Sequence, residues 1–129
     1  MQVSDAPQRR PTPLNSLRVI EISDRIAGSY CTKLLVDAGA EVRKIEPPKG
    51  DPLRRYTAGG SRVPDSMDAP LFGYLNAGKH SLTLSPSDQQ YRAELGAADV
   101  IVVTATRSQA ASLGIDPQRL LAANPRTVV

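Results

Sequence analysis

Arg54, Arg55 and Lys79 are the basic residues best suited to chemistry, because they flank a long irregular stretch rich in proline and glycine. Guanidinium and ammonium groups stay charged at neutral pH and pair with phosphates, which are anionic there. The same three residues also read as solvated loop charges. The turn Asp24–Ser29 is a second candidate: Gly28 permits a tight bend, and backbone N–H groups at a helix start can meet a ligand. A single glycine is not a G-x-G-x-x-G fingerprint, so Gly28 reads equally as a point of close helix–strand packing. His80 is the sole histidine, and nothing in the sequence pairs with its proton, so a surface role is expected. Cys31 is the sole cysteine; it falls on the apolar side of the first predicted helix and is expected in the core rather than as a nucleophile. One cysteine makes neither an internal disulfide nor a zinc site, which fits a reducing cytoplasm, and no metal is expected. Asp37 and Glu46 read as helix-surface and strand-end residues.

The elements that must position these groups belong to a chain of 129 residues, the size of one domain. Aromatic residues make up only 4%, so the core is built from Val, Ile, Leu and Ala. The net charge of +3 and pI near 9.3 mildly suit an anionic ligand and also serve solubility. No dense basic run and no basic stripe interleaved with aromatics is present, so nucleic acid is not expected as a partner. No stretch approaches the ~20 apolar residues of a membrane span. Met1–Pro13 is polar and proline-rich, lacks the apolar centre of a signal peptide, and reads as a disordered lead-in to a domain over 14–129.

Leu17–Ser23 (LRVIEIS) reads as a strand, being short and rich in β-branched residues. Asp24 offers a helix cap. Tyr30, Leu34, Leu35 and Ala38 then recur at helical spacing, with Lys33 and Asp37 elsewhere and Gly39 as the stop. Glu41–Glu46 (EVRKIE) is the second strand, ended by Pro47 and Pro48; together these form a strand–helix–strand crossover. The irregular run to Pro70 is long enough to be functional or mobile. Pro70–Ala77 holds a short helical turn, and Ser81–Ser85 reads as a strand. Ser85 and Pro86 open a helix to Gly96. Asp99–Thr104 (DVIVVT) has the near-continuous apolar run of a central parallel strand. Helical stretches over Ser108–Leu113 and, capped by Asp116, to Ala123 precede an apolar strand starting at Arg126. Strands alternate with helices, so the class is α/β with a mostly parallel sheet and helices on both faces. The predicted order places Leu17–Ser23 between Glu41–Glu46 and Asp99–Thr104. A chain ending on Val128-Val129, in an apolar strand, reads as a fragment.

Four stretches in this order resemble the family III CoA transferases, the group of formyl-CoA and carnitine-CoA transferases and α-methylacyl-CoA racemases. They are Leu17–Ser23 through Ala27-Gly28 and Cys31-Thr32; Leu35–Pro48 with Gly50-Asp-Pro-Leu-Arg54; Leu75-Asn-Ala-Gly-Lys-His-Ser-Leu-Thr-Leu84; and Ala98–Val103 with Leu113-Gly-Ile-Asp-Pro117 and Ala123-Asn-Pro-Arg126. The resemblance runs from about Leu14 to the end. It implies the N-terminal part of a Rossmann-like large domain in an interlocked homodimer that acts on an acyl-CoA and a carboxylic acid. The transferases work through an aspartyl-CoA thioester, and the resemblance puts that aspartate beyond residue 129. This piece alone is therefore expected to be inactive. The resemblance also implies coenzyme A contacts at Ile26 and Ala27, at Arg54 and Lys79, at Leu84 and Ser85 near the adenosine end, and at Thr104 and Ala105.

Departures from the family pattern are concentrated after the fourth strand. Val103-Thr-Ala-Thr-Arg-Ser108 stands where the family commonly has Glu-Asn-Phe-Arg-Pro-Gly, Ser112 where many members have arginine, and Pro47 where some transferases have arginine. Three readings stay open: the N-terminal part of a CoA transferase, an acyl-CoA racemase of the same fold, and a non-catalytic structural copy of the domain.

Overall fold

The β-branched runs separated by small and polar turns produce four strands, all paired in parallel. The computed structural model describes residues 12–129, so the lead-in predicted for Met1–Pro13 lies, up to residue 11, outside the described residues. The elements are β1 (Arg18–Ile22), α1 (Ile26–Asp37), β2 (Glu41–Glu46), a 3-10 turn at Pro52–Arg55, α2 (Pro70–Asn76), β3 (His80–Thr83), α3 (Gln89–Gly96), β4 (Val100–Val103), α4 (Arg107–Ser112) and α5 (Pro117–Ala123). The sheet order is β3-β2-β1-β4, which puts β1 between β2 and β4 as the sequence predicts. A parallel bridge between Val100 and Val128 continues the sheet beyond β4, at the apolar segment that reads as a strand.

β1, β2 and β4 divide their side chains between two covered faces, whereas the edge strand β3 is largely exposed. On one face Val19, Val42, Val100 and Val102 pack with Leu35 and Val36 of α1. On the other, Ile20, Ile22, Ile45 and Ile101 pack with Tyr91 and Leu95 of α3, with Ala110 of α4 and with Leu120 of α5. A smaller cluster of Leu53, Phe72 and Leu75 seats α2 on the 3-10 turn.

Several local expectations change. The buried side of α1 is Gly28, Ser29 and Thr32, whereas Tyr30 and Leu34 are exposed and Cys31 is exposed rather than in the core. The reason lies in what α1 covers: a polar group on β1 needs hydroxyl donors, so the helix turns its serine and threonine inward. Asp24 does not cap α1. Arg25 occupies that position without a side-chain hydrogen bond. Helix α3 begins at Gln89 because Ser85–Asp88 is closed as a turn, with Asp88 Oδ2 accepting from the Ser85 N–H at 2.6 Å. Gly39 ends α1 as predicted, with a φ of 103° that favours glycine.

Candidate functional site

An open cleft of about 280 Å³ lies at the C-terminal edge of the sheet. Its walls come from the ends of three strands: Ile22, Ser23 and Asp24 after β1, Ile45, Pro47 and Pro48 after β2, and Thr104 and Ala105 after β4. Leu84 and Pro86 close one side, and Tyr91, Gln109, Ser112 and Leu113 form the floor and rim. The location follows from topology. The chain leaves β1 toward α1 on one face and leaves β4 toward α4 on the other, so a crevice opens between the two departing segments. Gly28 tightens it: a Cβ there would stand 2.6 Å from Ser23 Cβ and 2.8 Å from Thr104 Cγ2. Gly28 therefore does serve the close packing that the sequence allows for it. The Tyr91 hydroxyl donates to the Leu113 carbonyl at 2.7 Å, locking α3 to the end of α4, and burial pushes its pKa up to about 12.

The cleft is mostly apolar, with Ser23, Asp24, Thr104, Gln109 and Ser112 as its polar points. Thr104 Oγ1 is buried and has no hydrogen-bond partner among the described residues. The segment Val103–Ser108 is well formed despite its departures. Thr106 and Gln109 make a reciprocal capping box, with the Gln109 N–H donating to Thr106 Oγ1 and the Thr106 N–H donating to Gln109 Oε1 at 2.8 Å.

The structure brings some of the predicted contact residues to this cleft and leaves others elsewhere. Leu84, Thr104 and Ala105 line it, and Ser85 adjoins Leu84. Ile26 and Ala27 are exposed at the start of α1, two and three residues beyond the lining Asp24. Arg54, Arg55 and Lys79 do not point into it. Arg54 spans the Glu46 carboxylate with two bonds of 2.8 and 2.7 Å and also reaches Asp68 at 2.7 Å. Arg55 donates to the carbonyls of Pro64 and Met67. The Lys79 side chain is buried, donating to Glu21 Oε2 and the Ser29 carbonyl at 2.8 Å each. Hydrogen bonds donated to Glu46 hold the Arg54 pKa above its ordinary value, while burial lowers that of Lys79 against the pull of Glu21. His80 is exposed and Asp37 pairs with Lys33, both on the surface as predicted. Glu46 is a strand-end residue, but a buried one: it accepts from Arg54, Ser81 and the Asp51 N–H.

Sequence reasoning missed a buried ionic cluster behind the cleft. Glu21, Lys44, Asp51 and Lys79 balance two carboxylates against two ammonium groups. Lys44 Nζ lies 2.7 Å from Glu21 Oε1; it also faces Asp51 Oδ2 at 2.7 Å, as an ion pair without hydrogen-bond alignment. Burial alone would raise the Glu21 carboxyl; the Lys44 charge, with bonds from Lys44, Lys79 and Ser23, outweighs it and holds the pKa at about 2. A signal was present. Laid side by side in register, β1 and β2 carry opposite charges at Arg18–Glu41 and again at Glu21–Lys44. Sequence reasoning also passed over Arg25, Lys49 and Arg107, exposed cations next to or within two residues of the lining residues Asp24, Pro48 and Ala105.

Comparison with known proteins decides the family, since the CoA-transferase family III pattern matches residues 14–129. The chain belongs to CoA-transferase family III. A succinate–glutarate CoA-transferase of Agrobacterium fabrum is 31% identical over 135 residues, covering 98% of this chain and 33% of that protein. A succinyl-CoA–D-citramalate CoA-transferase of Chloroflexus aurantiacus is 54% identical over 50 residues, 38% of this chain and 12% of that protein. Among solved structures, a CAIB/BAIF family protein from Brucella suis superposes with a TM-score of 0.78 at 30% identity, over 92% of this chain and 32% of that one. This family III chain thus spans a third or less of the length of the relatives it matches. Among the described residues no helix is long and apolar enough to cross a membrane.

Proposed function

We propose that the chain is the coenzyme A-binding, N-terminal part of a CoA transferase that moves coenzyme A between carboxylic acids through an aspartyl-CoA thioester. The observation that carries this reading is the cleft's position: it opens at the strand ends where the chain departs to opposite faces, in a chain of this family. An apolar slot with a few polar points suits a purine and its ribose. Leu84, Ile45 and the proline pair supply flat apolar walls, while Ser85, Thr104 and Ala105 sit where the polar edge of the ligand would run. The unpartnered Thr104 hydroxyl is a group whose bonding such a ligand would complete. Ile26 and Ala27 flank the path toward the reacting thioester.

With Arg54 and Lys79 held by internal carboxylates, the phosphates fall to the exposed rim cations Arg25, Lys49 and Arg107. The catalytic aspartate is supplied from outside this sequence, and the working protein is a cytoplasmic homodimer. Calorimetry tests this reading, with coenzyme A compared against pantetheine. Binding of coenzyme A with far weaker binding of pantetheine supports a site for the nucleotide end. Equal affinities contradict it.

A further inference from the structure

Glu21 is fully buried near the end of β1, between Ile20 and Ile22, and burying its charge is costly unless partners compensate it. Its neighbours show what it does there. Oε1 accepts from Ser23 Oγ at 2.6 Å, from Ser29 Oγ at 2.8 Å and from Lys44 Nζ at 2.7 Å. Oε2 accepts from Thr32 Oγ1 at 2.6 Å and Lys79 Nζ at 2.8 Å. Lys44 Nζ returns to the Ser23 carbonyl at 2.8 Å, so Ser23 is held by both its side chain and its backbone. Ser23 is a wall of the cleft, and Ser29 lies in the first turn of α1. The two serines bracket the exposed turn Asp24–Ala27, whose start has no side-chain cap of its own. With no cap, the turn's path depends on what grips its two ends, and both ends are gripped by one carboxylate.

From this we infer that Glu21 is a positioning residue, which fixes the β1–α1 turn against the ligand without touching the ligand. The inference rests on the reading that the cleft takes coenzyme A. A carboxylate suits this place because the ionised group is an acceptor on both oxygens, and every neighbour it meets here is a donor. Glutamine keeps the shape but turns one end of the group into a donor, facing either the lysine and serine hydrogens or those of threonine and Lys79.

The test uses the protein as its gene encodes it, with three variants: Glu21→Gln, Ser29→Ala and Thr32→Val. Thr32→Val removes the Glu21 contact from the second turn of α1, with the Thr32 bonds to the Gly28 and Ser29 carbonyls inside the helix, and leaves the side-chain grips of Ser23 and Ser29 on Glu21 in place, so it serves as the stability control. Coenzyme A affinity by calorimetry is expected to fall roughly tenfold in Glu21→Gln and several-fold in Ser29→Ala, and to stay within about twofold in Thr32→Val even where its melting temperature drops as far. Hydrogen exchange read by mass spectrometry is expected to rise over Asp24–Ala27 in the first two variants and not in the third. If Glu21→Gln fails to fold, Ser29→Ala carries the test. Unchanged exchange of the turn in Ser29→Ala or Glu21→Gln overturns the positioning role. If the native protein binds no coenzyme A, the reading of the cleft fails, and the exchange data still decide whether Glu21 holds the turn.

Discussion

A glutamate with a pKa of about 2, against an ordinary value of 4.5, makes stability depend on acid. Its folded pKa is depressed, so its contribution is fully present above pH 4.5 and is lost as the pH falls toward 2. Glu46 is shifted the same way: burial raises it, but the Arg54, Ser81 and Asp51 hydrogen bonds prevail, so it adds to the same acid limb. Thermal melting followed from pH 6 to pH 2, roughly the span over which carboxylates titrate, is expected to fall along this limb, and Glu21→Gln is expected to flatten it. An unchanged slope in the variant would show that the acid loss arises elsewhere. At Gly28 the constraint is steric. Gly28→Ala drives a methyl against Ser23 and Thr104, which is expected to cost about 1–3 kcal/mol by denaturant unfolding and to weaken coenzyme A binding as the cleft walls shift. A variant as stable as the native protein would mean that α1 stands farther from β1 than the structure shows.

The elements show which features a sequence can announce. Strand β2 is legible residue for residue at Glu41–Glu46, because β-branched residues precede a proline pair that ends the ladder. The central place of β1 follows from the doubly wound order that alternating strands and helices imply. The buried side of α1 is not legible by the same logic: periodicity picks Tyr30 and Leu34, yet the surface beneath the helix is a charged group, which hydroxyls satisfy and leucine does not. Glu21 and Lys44 escape notice for a related reason. A charged residue in a strand reads as solvent-facing until the strand register pairs it with an opposite charge. For the site, the cleft positions Leu84, Thr104 and Ala105 follow from the family pattern, whereas the internal engagement of Arg54 and Lys79 depends on Glu46 and Glu21, partners that only folding brings near. The β4–α4 segment carries its own prediction. Ser112 lines the cleft where many family members have arginine, so Ser112→Arg returns a cation to it. One charge-assisted phosphate contact contributes about 1.5–3 kcal/mol, so calorimetry is expected to show roughly tenfold or greater tightening. Weaker binding would show that Ser112 faces the base rather than the phosphates.

At the scale of the molecule, the described chain is a parallel sheet with helices on both faces and an open cleft at its C-terminal edge, and it spans a third or less of the relatives' length. The residues that perform group transfer are proposed to lie outside residues 1–129. A preparation of this segment alone is accordingly expected to show no transfer of coenzyme A between carboxylic acids. Turnover that tracks the segment and is abolished by a substitution within it would refute that division of labour. The central claim is that the edge cleft seats coenzyme A, and filling the cleft tests it most directly. Ala105 lines it and is half-buried, so Ala105→Trp would occupy the space without disturbing either core face. Calorimetry on the protein as its gene encodes it is expected to show coenzyme A affinity reduced by more than about tenfold, with the melting temperature unchanged. Native affinity in a folded Ala105→Trp protein would place the coenzyme elsewhere and contradict the account.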